Sequence, residues 1–176
     1  MAAHKRRADM FSVGDSVVYG SNGICKLEGI EEMDMNQETR LYYVLRPVFE
    51  TGSTLYVPVG NEELEAKMRQ LLNADEIRTL VKEMPGEELV WVEDDKERKE
   101  LYKGILSAGE RVSLVRLIKA VFLRQQELKA LGKKLHVSDE RFMKDAEKIL
   151  YGEFAYVLGM KREEVLPYIL ACMEEV

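Results

Sequence analysis

The chain has 176 residues, 46% of them apolar, which is enough for one domain or two small ones with a real core. No run of eighteen apolar residues occurs, so the chain is read as one that does not span a membrane. Its formal net charge of −6 conceals a sorting of charge along the sequence that bears on the kind of partner to expect.

The opening MAAHKRRADM carries positive charge but no apolar stretch behind it, which argues against a secretory signal. Residues 1–10 are expected to form a disordered basic tail, with Met10 an alternative start, and the protein is expected in the cytoplasm. From Phe11 to Val59 short segments rich in Val, Ile, Tyr and Leu are separated by Gly, Asn and Ser clusters, a pattern of strands at 16–19, 24–32, 40–48 and 54–59. They read as a small twisted β-barrel. Gly14-Asp15 opens it as a turn, and Gly23 is expected at positive φ.

After Asn61, a good N-cap with Glu62 and Glu63 in the first turn, Leu64, Met68, Leu71 and Leu72 recur at helical spacing, and everything downstream reads as helix. Five helices are expected. Ala74 to Met84 carries Ile77, Leu80, Val81 and Met84 on one face and stops at Pro85-Gly86. Lys96 to Leu106 is highly charged, with Leu101, Ile105 and Leu106 as its buried side, and ends at Ser107-Ala108-Gly109. Arg111 to Leu131 turns Leu114, Val115, Ile118, Val121 and Phe122 inward, with Arg116 and Lys119 sharing another face. Ser138 is placed as the cap of Asp139 to Leu158, whose stripe is Phe142, Ala146, Ile149, Leu150, Phe154 and Val157, closed by Gly159. The last helix, around Glu163 to Glu174, has Pro167 near its start and is expected to bury Leu166, Ile169, Leu170 and Met173. The fold class is therefore α+β, with a β-barrel over 11–72 and an all-α domain of about five helices over 73–176.

The search for catalytic chemistry finds little. His4 lies in the tail and His136 in a loop after Lys133 and Lys134, so no His-centred triad, zinc site or Cys-His pair can be drawn, and neither a P-loop nor a dinucleotide fingerprint is present. Adjacent acids such as Asp94-Asp95 serve helix dipoles or stay solvated. Cys25 and Cys172 stand far apart without metal-ligand spacing and read as free thiols in a reducing compartment. A binding module is expected, not an enzyme, with no cofactor, metal or small-molecule ligand.

Charge narrows the partner. Residues 11–72 hold five basic against ten acidic side chains, and residues 73–95 two against eight, whereas residues 96–148 hold fourteen against eight. A cationic segment inside an acidic protein suggests two partners of different kinds, one of them a polyanion; ordinary Lys and Arg decoration of solvated helices gives the same count.

FSVGDSVVYGSNG, then Leu41-Tyr42-Tyr43-Val44-Leu45, Leu55-Tyr56-Val57-Pro58-Val59 and Asn61, resemble the N-terminal RNA-polymerase-interacting domain of CarD-type bacterial transcription regulators, a Tudor-like module shared with transcription-repair coupling factors. Trp91, Leu106-Ser107-Ala108-Gly109-Glu110 and the run Ala146 to Glu153 extend the similarity over nearly the whole chain. No ATPase motor follows in these residues, so a regulator is expected and not a repair translocase. The sequence departs from the family at Gly20 and Asn22, where members have Pro and His, and at Met33 and Tyr56, where well-known members offer Arg to the polymerase.

The resemblance implies a transcription regulator that binds the polymerase β subunit through its barrel and touches promoter DNA with its helices, modulating open-complex stability. Met33, Tyr56 and Pro58 are the implied polymerase-binding residues, and an acidic barrel with an exposed edge strand suits strand addition. A proline inside a strand points the same way, since it is tolerated at an edge or a bulge. Lys96, Arg98, Arg116, Lys119, Lys133, Lys134 and Arg141 are the candidates for phosphate contact, and Trp91 for a wedge at a base step. Leu89, Val90 and Val92 around Trp91 equally suit a core aromatic, and the acids Glu93 to Asp95 oppose phosphate. The alternative function is a protein-protein adaptor on the polymerase that does not bind DNA. A contiguous basic face over 96–148 favours the first reading, and scattered salt-bridged charges favour the second.

Overall fold

The computed structural model describes residues 11–35, 38–89 and 91–174. They divide into two compact units, one ending at Leu71 and the other beginning at Leu72. The basic tail over 1–10 and Val90 lie outside the described residues. No helix among the described residues is long and apolar enough to cross a membrane.

The N-terminal unit is a five-stranded antiparallel sheet of β1 (Ser16–Tyr19), β2 (Ile24–Met35), β3 (Glu38–Pro47), β4 (Leu55–Pro58) and β5 (Met68–Gln70), in the spatial order β4-β3-β2-β1-β5. A 3-10 turn over Gly20–Asn22 joins β1 to β2, and Gly23 closes it at φ 68°, a left-handed conformation that glycine adopts without a Cβ penalty. The pairing of β2 with β3 shifts register between Leu27 and Gly29, so Glu28 sits at a bulge. Phe11, Val17, Cys25, Leu27, Tyr43, Leu45, Val57 and Met68 form the core on one face of the sheet.

Two expectations need correction here. The barrel is not closed: among the described residues no ladder joins β4 to β5, and both remain edges. Closure needs end strands long enough to pair along a staggered register, and these have four and three residues. The helix expected after Asn61 is a single turn, α1 (Glu62–Glu65), capped by the Asn61 side chain, which accepts the Leu64 amide at 3.1 Å. Met68–Gln70 then pairs as a strand with Val17 to Tyr19, because the open edge of β1 supplies ladder partners and Met68 reaches the core.

The C-terminal unit consists of α2 (Ala74–Glu83), α3 (Asp95–Ala108), α4 (Arg111–Ala130), α5 (Val137–Leu158) and α6 (Arg162–Glu174). Asn73 and Glu76 form a reciprocal capping box at α2, with bonds of 2.9 and 2.8 Å. Asp94 caps α3, and Glu110 caps α4 through the amides of Val112 and Ser113. Gly109 and Gly159 end α3 and α5 in the left-handed conformation. Ile77, Leu80, Val81 and Met84 are buried as expected, together with Leu114, Leu117 and Val121 of α4 and Ala146, Leu150 and Phe154 of α5.

Several faces are turned relative to the sequence expectation. In α3 the buried residues are Arg98 and Tyr102, while Leu101 is exposed. Phe122 of α4 is 50% exposed and Leu117 takes the inward place. Ser138 lies inside α5, whose N-cap is His136 without a side-chain hydrogen bond. In α6 the inward residues are Val165, Ile169 and Cys172, with Leu166 and Leu170 outward. The stripes 165/169/172 and 166/170/173 are adjacent and both apolar, so periodicity alone does not choose between them.

Candidate functional site

In an antiparallel ladder directly opposed residues share a face and neighbours along a strand alternate. The register sets Val44 against Tyr56, Tyr42 against Pro58, Glu31 against Tyr42 and Met33 against Arg40. Met33, Tyr56 and Pro58 therefore share the face of the sheet opposite the Phe11–Met68 core. Tyr56 is 43% exposed there, beside the buried Val44. Pro58 lies on edge strand β4, where a missing amide removes no central ladder bond. Arg40 pairs with Glu38, and Arg46 with Glu28 at 3.1 Å, while Glu31 and Glu32 have no ion pair among the described residues. The surface is mixed apolar and acidic, a suitable match for a protein partner.

The seven cationic candidates of the helical unit separate by what already binds them. Arg98 is only 3% exposed. Its Nε and Nη2 donate to the two oxygens of Asp139 at 3.0 Å each, Nη2 also to Asp95 at 2.8 Å, and Nη1 to the carbonyls of Val92 and Glu93 at 2.9 and 3.3 Å. It ties the segment before α3 onto α5, with all three guanidinium nitrogens engaged inside the protein. Arg116 donates to Glu87 at 2.7 Å, and Lys119 donates to the carbonyls of Met84 and Pro85 at 3.1 and 2.8 Å. These two fasten the 3-10 turn over Met84–Gly86 against α4. Lys96, Lys133, Lys134 and Arg141 are exposed and make no ion pair among the described residues.

Trp91 is half-buried against the helical core, with the Arg98 guanidinium 4.5 Å and that of Arg124 5.4 Å from its ring centroid. It forms part of the wall of a cleft of about 300 Å³ that also reaches Arg124, Lys133, Lys134 and His136. The structure thus places Trp91 beside two of the free lysines. Arg124 was not singled out from the sequence, where it is one of many cations on a long helix; its value comes from α4 passing alongside the segment that carries Trp91.

Two further buried polar groups escaped the sequence reading. Glu153 of α5 accepts Arg111 Nε at 2.8 Å and Nη2 at 2.7 Å, and also the Leu72 amide at 2.9 Å. Tyr102 is buried edge-on to Phe142, ring centroids 5.6 Å apart, with no hydrogen-bond partner for its hydroxyl among the described residues. Burial, reinforced by the nearby Asp139 charge, pushes that hydroxyl up to about 12. Among the described residues no group of His, Cys, Asp and Glu is placed to hold a metal ion.

Comparison with known proteins gives two findings. Residues 11–72 match the family described as the CarD-like/TRCF RID domain. Over 156 residues, 89% of this chain and 97% of the relative, the chain is 21% identical to a protein of Bacillus subtilis (strain 168) named "Putative transcription factor YdeB".

Proposed function

We propose that this protein is a transcription regulator that docks on the β subunit of bacterial RNA polymerase through its N-terminal sheet and contacts promoter DNA with its helical unit, modulating the stability of the open complex. The observation that carries the reading is the match of residues 11–72 to the CarD-like/TRCF RID domain. It is supported by the edge position of β4 and by Met33, Tyr56 and Pro58 sharing one face. DNA contact then falls to Lys96, Lys133, Lys134 and Arg141, with Trp91 beside the two lysines.

The adaptor reading, in which the helices bind a second protein, has its own support: Arg98, Arg116 and Lys119 are all held by internal partners, which thins the basic surface. Open-complex lifetime at a promoter separates the two. Under the regulator reading the protein changes that lifetime, and Trp91→Ala reduces the change in a variant that a thermal melt shows to be still folded. Under the adaptor reading the protein is retained by polymerase but leaves the lifetime unaltered.

A further inference from the structure

The cleft beside Trp91 differs from the rest of the cationic surface because of how its charges are paired. Asp139 is answered by Arg98, and Asp95 by Arg98 at 2.8 Å and Lys99 at 2.6 Å. Lys133 and Lys134 have no ion-pair partner among the described residues. Arg124 donates to Glu127 at 3.0 Å and stands 3.8 Å from Glu93, a distance too long for a hydrogen bond; the two acid side chains are 63% and 79% exposed, so both contacts are solvent-screened. Two unpaired lysines and an arginine held only by exposed acids, beside the internally paired Asp139, make the concavity an anion site.

The size and rim decide what kind of anion. A volume of about 300 Å³ lies at the small end of ligand pockets, which run from about 300 to about 1,000 Å³. Exposed Glu93 and Asp95 leave an extended phosphate backbone the outer lysines at the rim, whereas a compact anion enters the cleft between the two acids. Leu128 and Leu135 supply an apolar wall for an organic portion.

We propose that this cleft binds a small phosphate-bearing molecule, its phosphate or diphosphate group held by Lys133, Lys134 and Arg124, the last exchanging its solvent-screened contacts with Glu127 and Glu93 for the phosphate oxygens. Arg124 supplies a planar fork of donors matched to phosphate oxygens, and the lysines supply point charges. The site requires neither polymerase nor promoter and so goes beyond the function proposed above.

Trp91 is the only tryptophan of the chain, so its emission reports on the cleft. Full-length protein titrated with inorganic pyrophosphate at constant ionic strength should show a saturable change in Trp91 emission. Arg124→Gln, and separately the double variant Lys133→Gln/Lys134→Gln, should weaken that binding about tenfold or more, as expected for losing one charge-assisted hydrogen bond. The lysines are exposed, so the double variant keeps its fold, which a circular-dichroism melt verifies for both proteins. A pyrophosphate response that both variants leave unchanged overturns the proposal. A response to a short DNA duplex but not to pyrophosphate also overturns it, assigning the cleft to nucleic acid and leaving the regulator reading intact. Silence toward both ligands overturns it as well, and a gel shift with the same duplex then tests DNA binding separately.

Discussion

The Glu153 carboxylate grips Arg111 with bonds of 2.8 and 2.7 Å and at the same time accepts the Leu72 amide at 2.9 Å. Glu153 is 2% exposed, and Leu72 is the residue with which the helical unit begins. One buried side chain on α5 thus fixes both the start of α4 and the point where the chain enters the unit. A carboxylate in so dry a place is tolerable because three donors satisfy it.

Glu153→Ala should therefore leave the Arg111 guanidinium and the Leu72 amide without their acceptor and destabilise the helical unit by about 3–5 kcal/mol. Urea unfolding followed by circular dichroism measures it. A loss below about 1 kcal/mol would mean that water or another group replaces the carboxylate at little cost.

Arg98 and Asp139 make a second buried pair with a different test. Arg98→Ala strands the Asp139 carboxylate, which is 1% exposed, and should cost about 3–5 kcal/mol. Replacing both, as Arg98→Met with Asp139→Leu, should recover much of that loss, because a well-packed apolar pair has no charge to desolvate. A thermal melt of single and double variants decides it. If Arg98 acts on DNA directly, the double variant will regain stability and still fail to bind DNA.

Much of the fold was legible in the sequence because it rests on local chemistry. Gly23 needs positive φ, Asn61 caps a turn, and Gly109 and Gly159 end helices; each follows from one residue and its neighbours. What was not legible depends on contacts far apart in sequence. The interval of four from Leu64 to Met68 suits a helix, yet Met68 becomes a strand residue because β1 has a free edge. Arg98 reads as a surface cation until Asp139, 41 residues away, is found beside it. The candidate site divides in the same way: Met33, Tyr56 and Pro58 come together through strand register, while Arg116 and Lys119 are drawn inward by Glu87 and by backbone carbonyls that no sequence pattern announces.

The cations that remain free should govern DNA binding. Replacing Lys96, Lys133, Lys134 and Arg141 by Gln should lower affinity for duplex of any sequence and flatten its dependence on salt by about 0.9 in log–log slope for each phosphate contact removed. Arg116→Gln and Lys119→Gln should instead act mainly on the melting temperature, since their partners are internal. Filter binding across a salt series measures the slope. An unchanged slope in the fourfold variant would favour the adaptor reading.

Cys25 offers a pH test of the N-terminal core. Burial, with a smaller push from Glu50, raises its thiol from the ordinary 9.0 to about 12. The folded state holds the proton more tightly than the unfolded state, so this contribution to stability is complete below about pH 9 and is lost as pH rises toward about 12. The thiol should accordingly resist iodoacetamide at pH 8 in native buffer and react once urea unfolds the unit. Labelling at the same rate in both conditions would show that the core opens readily around Cys25.

In the function proposed above, the N-terminal sheet binds RNA polymerase through the face carrying Met33, Tyr56 and Pro58. Tyr56 is exposed enough that its replacement should shift folding stability by no more than about 0.5 kcal/mol, which makes it a clean probe. The most direct measurement is a pull-down of purified bacterial RNA polymerase by the full-length protein, wild type beside Tyr56→Glu and Met33→Glu. If this proposal holds, the wild type retains polymerase through its β subunit and each variant retains markedly less while melting like a folded protein. A wild-type protein that retains no polymerase would contradict it.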